Sequence, residues 1–250
     1  MRRYLRLLAV GVTACSLLSG VAEARTVNGC VIKAKTSCAG KNLSGQNLRG
    51  ANLRNANLRG ADLSGADLSG ADLTSANLYG VKLFYTKLDN ANMRSANLYA
   101  AKIFYSKLDN ANMANANLYA AKIFYSKLDN ANLTSAKLYA AKLYDSKLSY
   151  ANLTNANLTA AKLFYSKLSG AILTNAKLIA AKLIYSKITS ANLSYANLSY
   201  ADLTGSDLRG ATLKATDFSH ANLFRANLSI AALDQLLLTG ATMPDGTIHN

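Results

Sequence analysis

Lysine recurs at intervals of twenty residues in two series, and this regular placement is the feature of the sequence best suited to chemistry. The first series is Lys82, Lys102, Lys122, Lys142, Lys162 and Lys182, and the second is Lys87, Lys107, Lys127, Lys147, Lys167 and Lys187. A regular row of ammonium groups attracts an anionic polymer, which releases its own counterions when it binds fixed cations. The lysine series therefore indicate a binding surface for an anionic partner.

Aromatic residues accompany the first lysine series at the same interval. Phe104 and Tyr105 follow Lys102, and Phe124 and Tyr125 follow Lys122. The wider set comprises Phe84, Tyr85, Tyr144, Phe164, Tyr165 and Tyr185, with a separate series at Tyr79, Tyr99, Tyr119 and Tyr139. Exposed rings beside ordered cations suit an anionic or glycan partner. The alternative is that a unit was duplicated and that rings and lysine stems simply cover its outer wall.

Residues that could perform catalysis are scarce. The two histidines, His220 and His249, have no Ser, Cys or Asp set outside the repeating pattern that would make a triad or a metal cluster. Glu23 is the only Glu, and it lies in the first 24 residues. We therefore expect no enzyme activity, no cofactor and no metal.

A five-residue phrase, A-(N/D/K)-L-x-x, recurs without insertion or deletion from Lys41 to Gln235, which makes 39 consecutive pentads. Its third position is Leu in 33 of them and another apolar residue in the rest. On an α-helix, successive leucines would step around the axis by about 140°, and on a flat strand they would alternate between faces. The leucines share one core only if the chain turns a corner in every pentad.

Residues 81–200 also repeat with a period of twenty, as in VKLFYTKLDNANMRSANLYA and AKIFYSKLDNANMANANLYA. Twenty residues are four pentads, which predicts a repeat architecture with four sides. Residues twenty apart then stack in columns at strand spacing, about 4.8 Å, so the two lysine series lie on two adjacent sides. A column of inward hydroxyls is predicted to form an internal hydrogen-bonded ladder. Its members are Ser106, Ser126, Ser146, Ser166, Ser186 and Ser206.

The consecutive phrases, clearest in ADLSGADLSGADLTSANL from Ala61 to Leu78, resemble the pentapeptide-repeat proteins. The resemblance implies an all-β solenoid, a right-handed four-sided β-helix with the Leu and Ala positions inward. About ten coils would make a rod on the order of 50 Å long. The best-known activity of that family, gyrase protection or inhibition by DNA mimicry, uses an acidic rod, whereas this chain carries a net charge of +15.

The first 24 residues have the features of a secretory signal peptide. Arg2, Arg3 and Arg6 precede a mostly apolar run from Leu7 to Val21, and Ala22-Glu23-Ala24 provides a cleavage site. A retained membrane anchor and a lipoprotein modified at Cys15 are the alternatives. Cleavage would leave 25 Lys and Arg against 12 Asp, a net charge of +13. We expect an exported protein, periplasmic or extracellular.

Residues 25–40 contain a pair of cysteines, Cys30 and Cys38, just before the first clear pentad. In an oxidising compartment, an even pair at this spacing predicts a disulfide. A metal site is the alternative, although no His or third Cys lies nearby. The short loop would contribute roughly 2–3 kcal/mol by loop entropy. We expect 25–40 to form an N-terminal cap that protects the first coil.

The repeat domain is expected over 41–235, followed by a C-terminal cap and tail over 236–250. The segment SIAALDQLLLTG, 229–240, departs from the phrase: Ser229 and Gly240 could begin and end a short helix, with Leu233, Leu236 and Leu237 on one apolar face. In several pentapeptide-repeat proteins a terminal helix covers the last coil or pairs two subunits, so the resemblance implies a cap or a homodimer here.

These features favour a non-enzymatic, exported scaffold or interaction protein. Its partner could be an anionic polymer, a glycan or another protein, bound by the lysine and aromatic columns. Nucleic acid would fit electrostatically, but an exported protein rarely meets it. A cytoplasmic gyrase-related or DNA-related role is the remaining alternative.

Overall fold

The computed structural model describes residues 25–228 and 236–250, so the predicted signal peptide lies outside the described residues. The described residues form five strands: β1 (Thr26–Val27), β2 (Cys30–Val31), β3 (Lys82–Phe84), β4 (Lys102–Phe104) and β5 (Lys122–Phe124). Strands β1 and β2 form an antiparallel pair, and β3, β4 and β5 form a parallel sheet in that order. The two described ranges contain no helix.

Parallel β-bridges join residues twenty positions apart, from Ser37–Asn57 to Asn222–Thr242. The bridges fall into four series, which we call sides, and we call each twenty-residue unit a coil. The four sides are defined by 81–85 (first Lys side), 86–90 (second Lys side), 91–95 (Asn side) and 96–100 (Tyr side), with their equivalents every twenty residues. Each side is narrow, since it usually contributes a single bridge per coil.

The core consists of the Leu and Ala positions of the pentads. Leu128 and Ala131 are fully buried, and Phe218, the one large ring at a core position, is buried as well. A tight turn follows a typical core leucine: the carbonyl of Leu128 accepts from the N–H of Ala131 at 3.1 Å. Asn130, the third residue of that turn, has φ 58°, which a type II turn requires. The turn supplies the corner that the period of five demands.

The first Lys side is more extended at β3, β4 and β5 than in the later coils. There the N–H groups of Ser166 and Ser186 close the usual turn with the carbonyls of Leu163 and Leu183, at 3.3 and 3.0 Å. The N–H of Thr86 donates to Ser106 Oγ at 3.1 Å, and the N–H of Ser106 donates to Ser126 Oγ at 3.1 Å. These two amides therefore pair with the following coil instead of closing a turn, just after β3 and β4. The hydroxyls of Ser106 and Ser126 donate to the carbonyls of Leu83 and Ile103 at 2.6 and 3.1 Å. The predicted internal hydroxyl ladder is confirmed.

The β1–β2 pair covers part of the open edge of the first coil. A disulfide joins Cys30 to Cys38, with the two Cα atoms 5.3 Å apart. Arg25 Nη1 donates to the carbonyl of Asn47 at 3.1 Å, and Asn28 Nδ2 donates to the carbonyl of Asn42 at 2.7 Å. Because no earlier coil among the described residues supplies backbone donors here, these side chains satisfy carbonyls of the edge.

The helix predicted over 229–240 is wrong for its described part. Residues 229–235 lie outside the described residues, but Leu237 pairs with Asp217 in the usual parallel bridge. Leu238 is 4% exposed and occupies the core position after Phe218, while Leu237 is 60% exposed. Leu238 keeps the five-residue spacing of the core leucines. Because its side chain is buried at a core position, this part of the chain adopts the conformation of the repeat. Beyond it, Thr242 pairs with Ile248 in an antiparallel bridge that folds the tail back on the last turn.

Candidate binding surface

The first Lys side places its lysines and phenylalanines on one outer face. In β4, Lys102 is exposed, Ile103 is buried and Phe104 is half-buried, which is the alternation of a strand with one face on a core. The register aligns Lys82 with Lys102 and Lys102 with Lys122. Bridges continue the column through Lys142 and Lys162 to Lys182. The structure thus assembles the first predicted lysine series into one row.

The second Lys side carries the other lysine series in the same way, with bridges from Lys87 through to Lys187. Only the first lysine of each column has a carboxylate within 4.0 Å among the described residues: Lys82 pairs with Asp62 at 3.6 Å, and Lys87 with Asp67 at 3.9 Å. Two ammonium groups about 5 Å apart repel by about 0.8 kcal/mol in water before salt screening. The remaining ten lysines form no ion pair with a described carboxylate, so the surface keeps an excess of positive charge.

Three aspartates run beside the second lysine column and form a ladder of their own. The N–H of Asp109 donates to Asp89 Oδ1 at 3.2 Å, and the N–H of Asp129 donates to Asp109 Oδ1 at 3.0 Å. Burial, together with the charges of Asp129 and Asp89, raises the pKa of the Asp109 carboxyl. These acids therefore accept backbone bonds, and none of them forms an ion pair with a lysine among the described residues.

The aromatic residues stack along the rows. Phe104 lies parallel to Phe124 with ring centroids 4.9 Å apart, and Tyr105 to Tyr125 at 5.0 Å. The Phe column continues to Tyr144 and Phe164, whereas Asp145 interrupts the Tyr column before Tyr165. Tyr105 and Tyr125 are each 51% exposed. Stacked pairs contribute about 0.5–1.5 kcal/mol beyond area burial, so the columns stabilise the outer wall as well as presenting ring edges.

A comparison of the sequence with models of protein families identifies the family of this chain. The model of pentapeptide repeats matches in eight copies, within ranges that together span residues 37–229. The chain belongs to the pentapeptide repeat family. The resemblance predicted from the sequence is thereby confirmed, and pentapeptide repeat proteins fold as right-handed, four-sided β-helices.

Solved structures of other pentapeptide repeat proteins are similar to the chain. HetL, a protein involved in heterocyst differentiation regulation from the cyanobacterium Nostoc, is 31% identical, with 86% of this chain and 92% of HetL covered and a TM-score of 0.44. QnrB1, a plasmid-mediated fluoroquinolone resistance protein, is 16% identical, with 85% and 92% covered and a TM-score of 0.52. At that identity QnrB1 shows the fold alone. No curated protein matches this chain in sequence.

Pentapeptide repeat proteins are generally structural or interaction proteins. Within 25–228 and 236–250, no three His, Cys, Asp or Glu side chains are grouped so that they could hold a metal ion. His220 stacks on Tyr200 with ring centroids 4.9 Å apart. The described residues also contain no helix of the length and apolarity needed to cross a membrane.

This pentapeptide repeat protein has one surface feature that sequence reasoning missed. A shallow groove of about 380 Å³ runs along the Tyr side. Its lining residues are Tyr99, Asn117, Tyr119, Lys137, Tyr139 and Asn157. The signal that could have revealed it is Lys137, which replaces Asn in the second position of a Tyr-side pentad.

Proposed function

We propose that this protein is a non-enzymatic, exported scaffold that binds an anionic polymer along its two Lys sides. The arrangement of positive charge supports this proposal. Twelve lysines lie in two bridged columns, and only Lys82 and Lys87 have an ion-pair partner among the described residues. A linear polyanion lying along the columns would contact several cations at once. Its binding would also relieve the repulsion between neighbouring lysines.

The proposed architecture is the family's right-handed β-helix, with about ten coils and four sides. The parallel bridges at twenty-residue spacing support it. The cap of 25–40 and the tail of 236–250 would protect the two ends, since an exposed strand edge invites aggregation. The contacts of Arg25 and Asn28 with carbonyls of the first coil support the N-terminal part of this proposal.

Export is supported by the composition of residues 1–24 and by the paired cysteines. The basic start, apolar run and A-x-A site are typical of a secretory signal, and disulfides persist in oxidising compartments. We therefore place the protein in the periplasm or outside the cell. Acidic polysaccharide is then the preferred class of polyanion, because nucleic acid is rarely met there.

A gyrase-related role is the second candidate, because QnrB1 is named for fluoroquinolone resistance and shares the fold. DNA mimicry requires an acidic rod, and this chain has a net charge of +15. The charge therefore favours a protein that binds a polyanion over one that imitates it.

The experiment measures binding of the processed protein to heparin at increasing salt. We expect Lys102→Gln, Lys122→Gln and Lys142→Gln, combined, to weaken binding, reduce its salt dependence and raise the melting temperature without ligand. The matched control removes three cations outside the columns, at Lys33, Lys35 and Lys177, which have no ion pair with a described carboxylate. Equal weakening by both triple variants would mean that net charge alone attracts heparin, and the proposed surface would be refuted.

A further inference from the structure

The groove lies on the Tyr side, which adjoins the first Lys side, and its composition differs from that of the lysine columns. Its apolar wall is the stack Tyr99, Tyr119 and Tyr139, with centroids 5.0 and 5.1 Å apart. Its polar wall is formed by Asn117, Lys137 and Asn157. Tyr119 and Tyr139 are 37% and 38% exposed, so the rings remain partly accessible.

An amide ladder on the polar wall stops at the groove. Asn97 Nδ2 donates to Asn77 Oδ1 at 3.3 Å, and Asn117 Nδ2 donates to Asn97 Oδ1 at 3.3 Å. Lys137 stands where the next amide would be, since it bridges Asn117 on one side and Asn157 on the other. No carboxylate of a described residue lies within 4.0 Å of its ammonium group. The wall therefore presents an unpaired cation beside the amide of Asn157.

The Tyr stack also ends at the groove. The following coil has Thr159 at the position after Tyr139, so the stack ends at Tyr139. Tyr139 is 38% exposed there, about as much as Tyr119 within the stack at 37%. Elsewhere a ring leans over the small residue that follows it: a Cβ built on Gly170 would lie 2.5 Å from Tyr150 Cδ1. At the position that follows Tyr139 in its column, by contrast, stands Thr159, which is not a glycine.

We propose that this groove binds an acidic sugar unit of a glycan, with the ring of Tyr139 against the sugar ring and Lys137 against its carboxylate. A mostly apolar wall with a few placed polar groups is the usual form of a small-ligand site. The Lys137 ammonium would form a charge-assisted hydrogen bond with the carboxylate, and Asn157 would bond a ring hydroxyl. The proposal does not depend on the lysine columns, because neither Lys137 nor Tyr139 belongs to them.

The experiment titrates the processed protein with trigalacturonic acid, and with maltotriose as the neutral comparison, at a salt concentration that suppresses non-specific attraction. Lys137→Gln should weaken binding of trigalacturonic acid about tenfold, the usual size of a lost charge-assisted bond. Lys177→Gln, which removes a cation two coils further along the same column, should change nothing. Equal effects of the two substitutions would overturn the proposal, as would equal binding of maltotriose.

A second pair of variants tests whether the sugar packs against Tyr139 at the end of the stack. Thr159→Tyr extends the stack over Tyr139 and should abolish binding while the melting temperature is retained or raised. Thr159→Val keeps the space open and should bind as the parent does. If Thr159→Tyr still binds trigalacturonic acid, Tyr139 is not the platform. The combined Lys102→Gln, Lys122→Gln and Lys142→Gln variant should retain this binding, so failure of the heparin proposal and failure of this one are separable.

Discussion

Substituting Gly205 with alanine measures how far the stacked rings stabilise the wall of this pentapeptide repeat protein. Gly205 has φ +64°, and a Cβ built on it would lie 2.5 Å from Cε1 of Tyr185. The ring of Tyr185 leans over Gly205 and stacks on Tyr165 on its other face, with centroids 5.6 Å apart. Gly205→Ala would therefore force the ring of Tyr185 to swing away into solvent.

The control is Gly60→Ala, because Gly60 also has φ +64° and nothing lies within 4 Å of the Cβ position. Both substitutions place alanine in the left-handed region, at a cost of about 1 kcal/mol. Gly205→Ala should lose an additional 0.5–1.5 kcal/mol, roughly the contribution of one aromatic contact. Alanine is accepted in this conformation at Ala100 and Ala120, so neither variant should fail to fold.

The assay compares the two variants by thermal and urea unfolding under identical conditions. A difference of about 1 kcal/mol corresponds to about 2–4 °C in a domain of this size. Because coils can open separately in a repeat protein, tyrosine fluorescence should follow the local change together with circular dichroism for the whole chain. If Gly205→Ala and Gly60→Ala unfold together, the ring contact contributes nothing and the stacking argument fails.

Two further predictions concern the cap and the acid ladder. With residues 1–24 removed, the protein should show no free thiol without reductant, and reducing the Cys30–Cys38 bond should lower the free energy of unfolding by roughly 2–3 kcal/mol. Two reactive thiols in this native protein would contradict the prediction. The raised pKa of Asp109 means that ionising it costs stability, so stability should fall as pH rises from the ordinary Asp value of 3.8 through the raised one. Asp109→Asn should remove that fall and raise the melting temperature at pH 7, whereas an unchanged pH profile would show that the carboxylate carries no penalty.

The core and the lysine columns could be predicted from the sequence because both depend only on the regular spacing of five and twenty residues. Leu43 and Leu128 are buried for the same reason, and bridges at twenty residues follow once four corners close each coil. The helix over 229–240 was predicted from local signals, namely a cap residue and an apolar face. Leu238 and Met243 kept the five-residue phase, and burial of Leu238 outweighs helix propensity over 236–240.

Lys137 marks the place of the Tyr-side groove in the sequence, but the shape of the groove could not be predicted, because the spacing of the repeat does not determine the orientation of the rings. A ring can lie over the following coil only if the residue there leaves space, as Gly170 does beneath Tyr150. Whether that space closes or stays open depends on a single residue in the next coil. In this fold, therefore, the repeated positions determine the architecture, and departures from the repeat such as Lys137 and Thr159 determine where a ligand could bind.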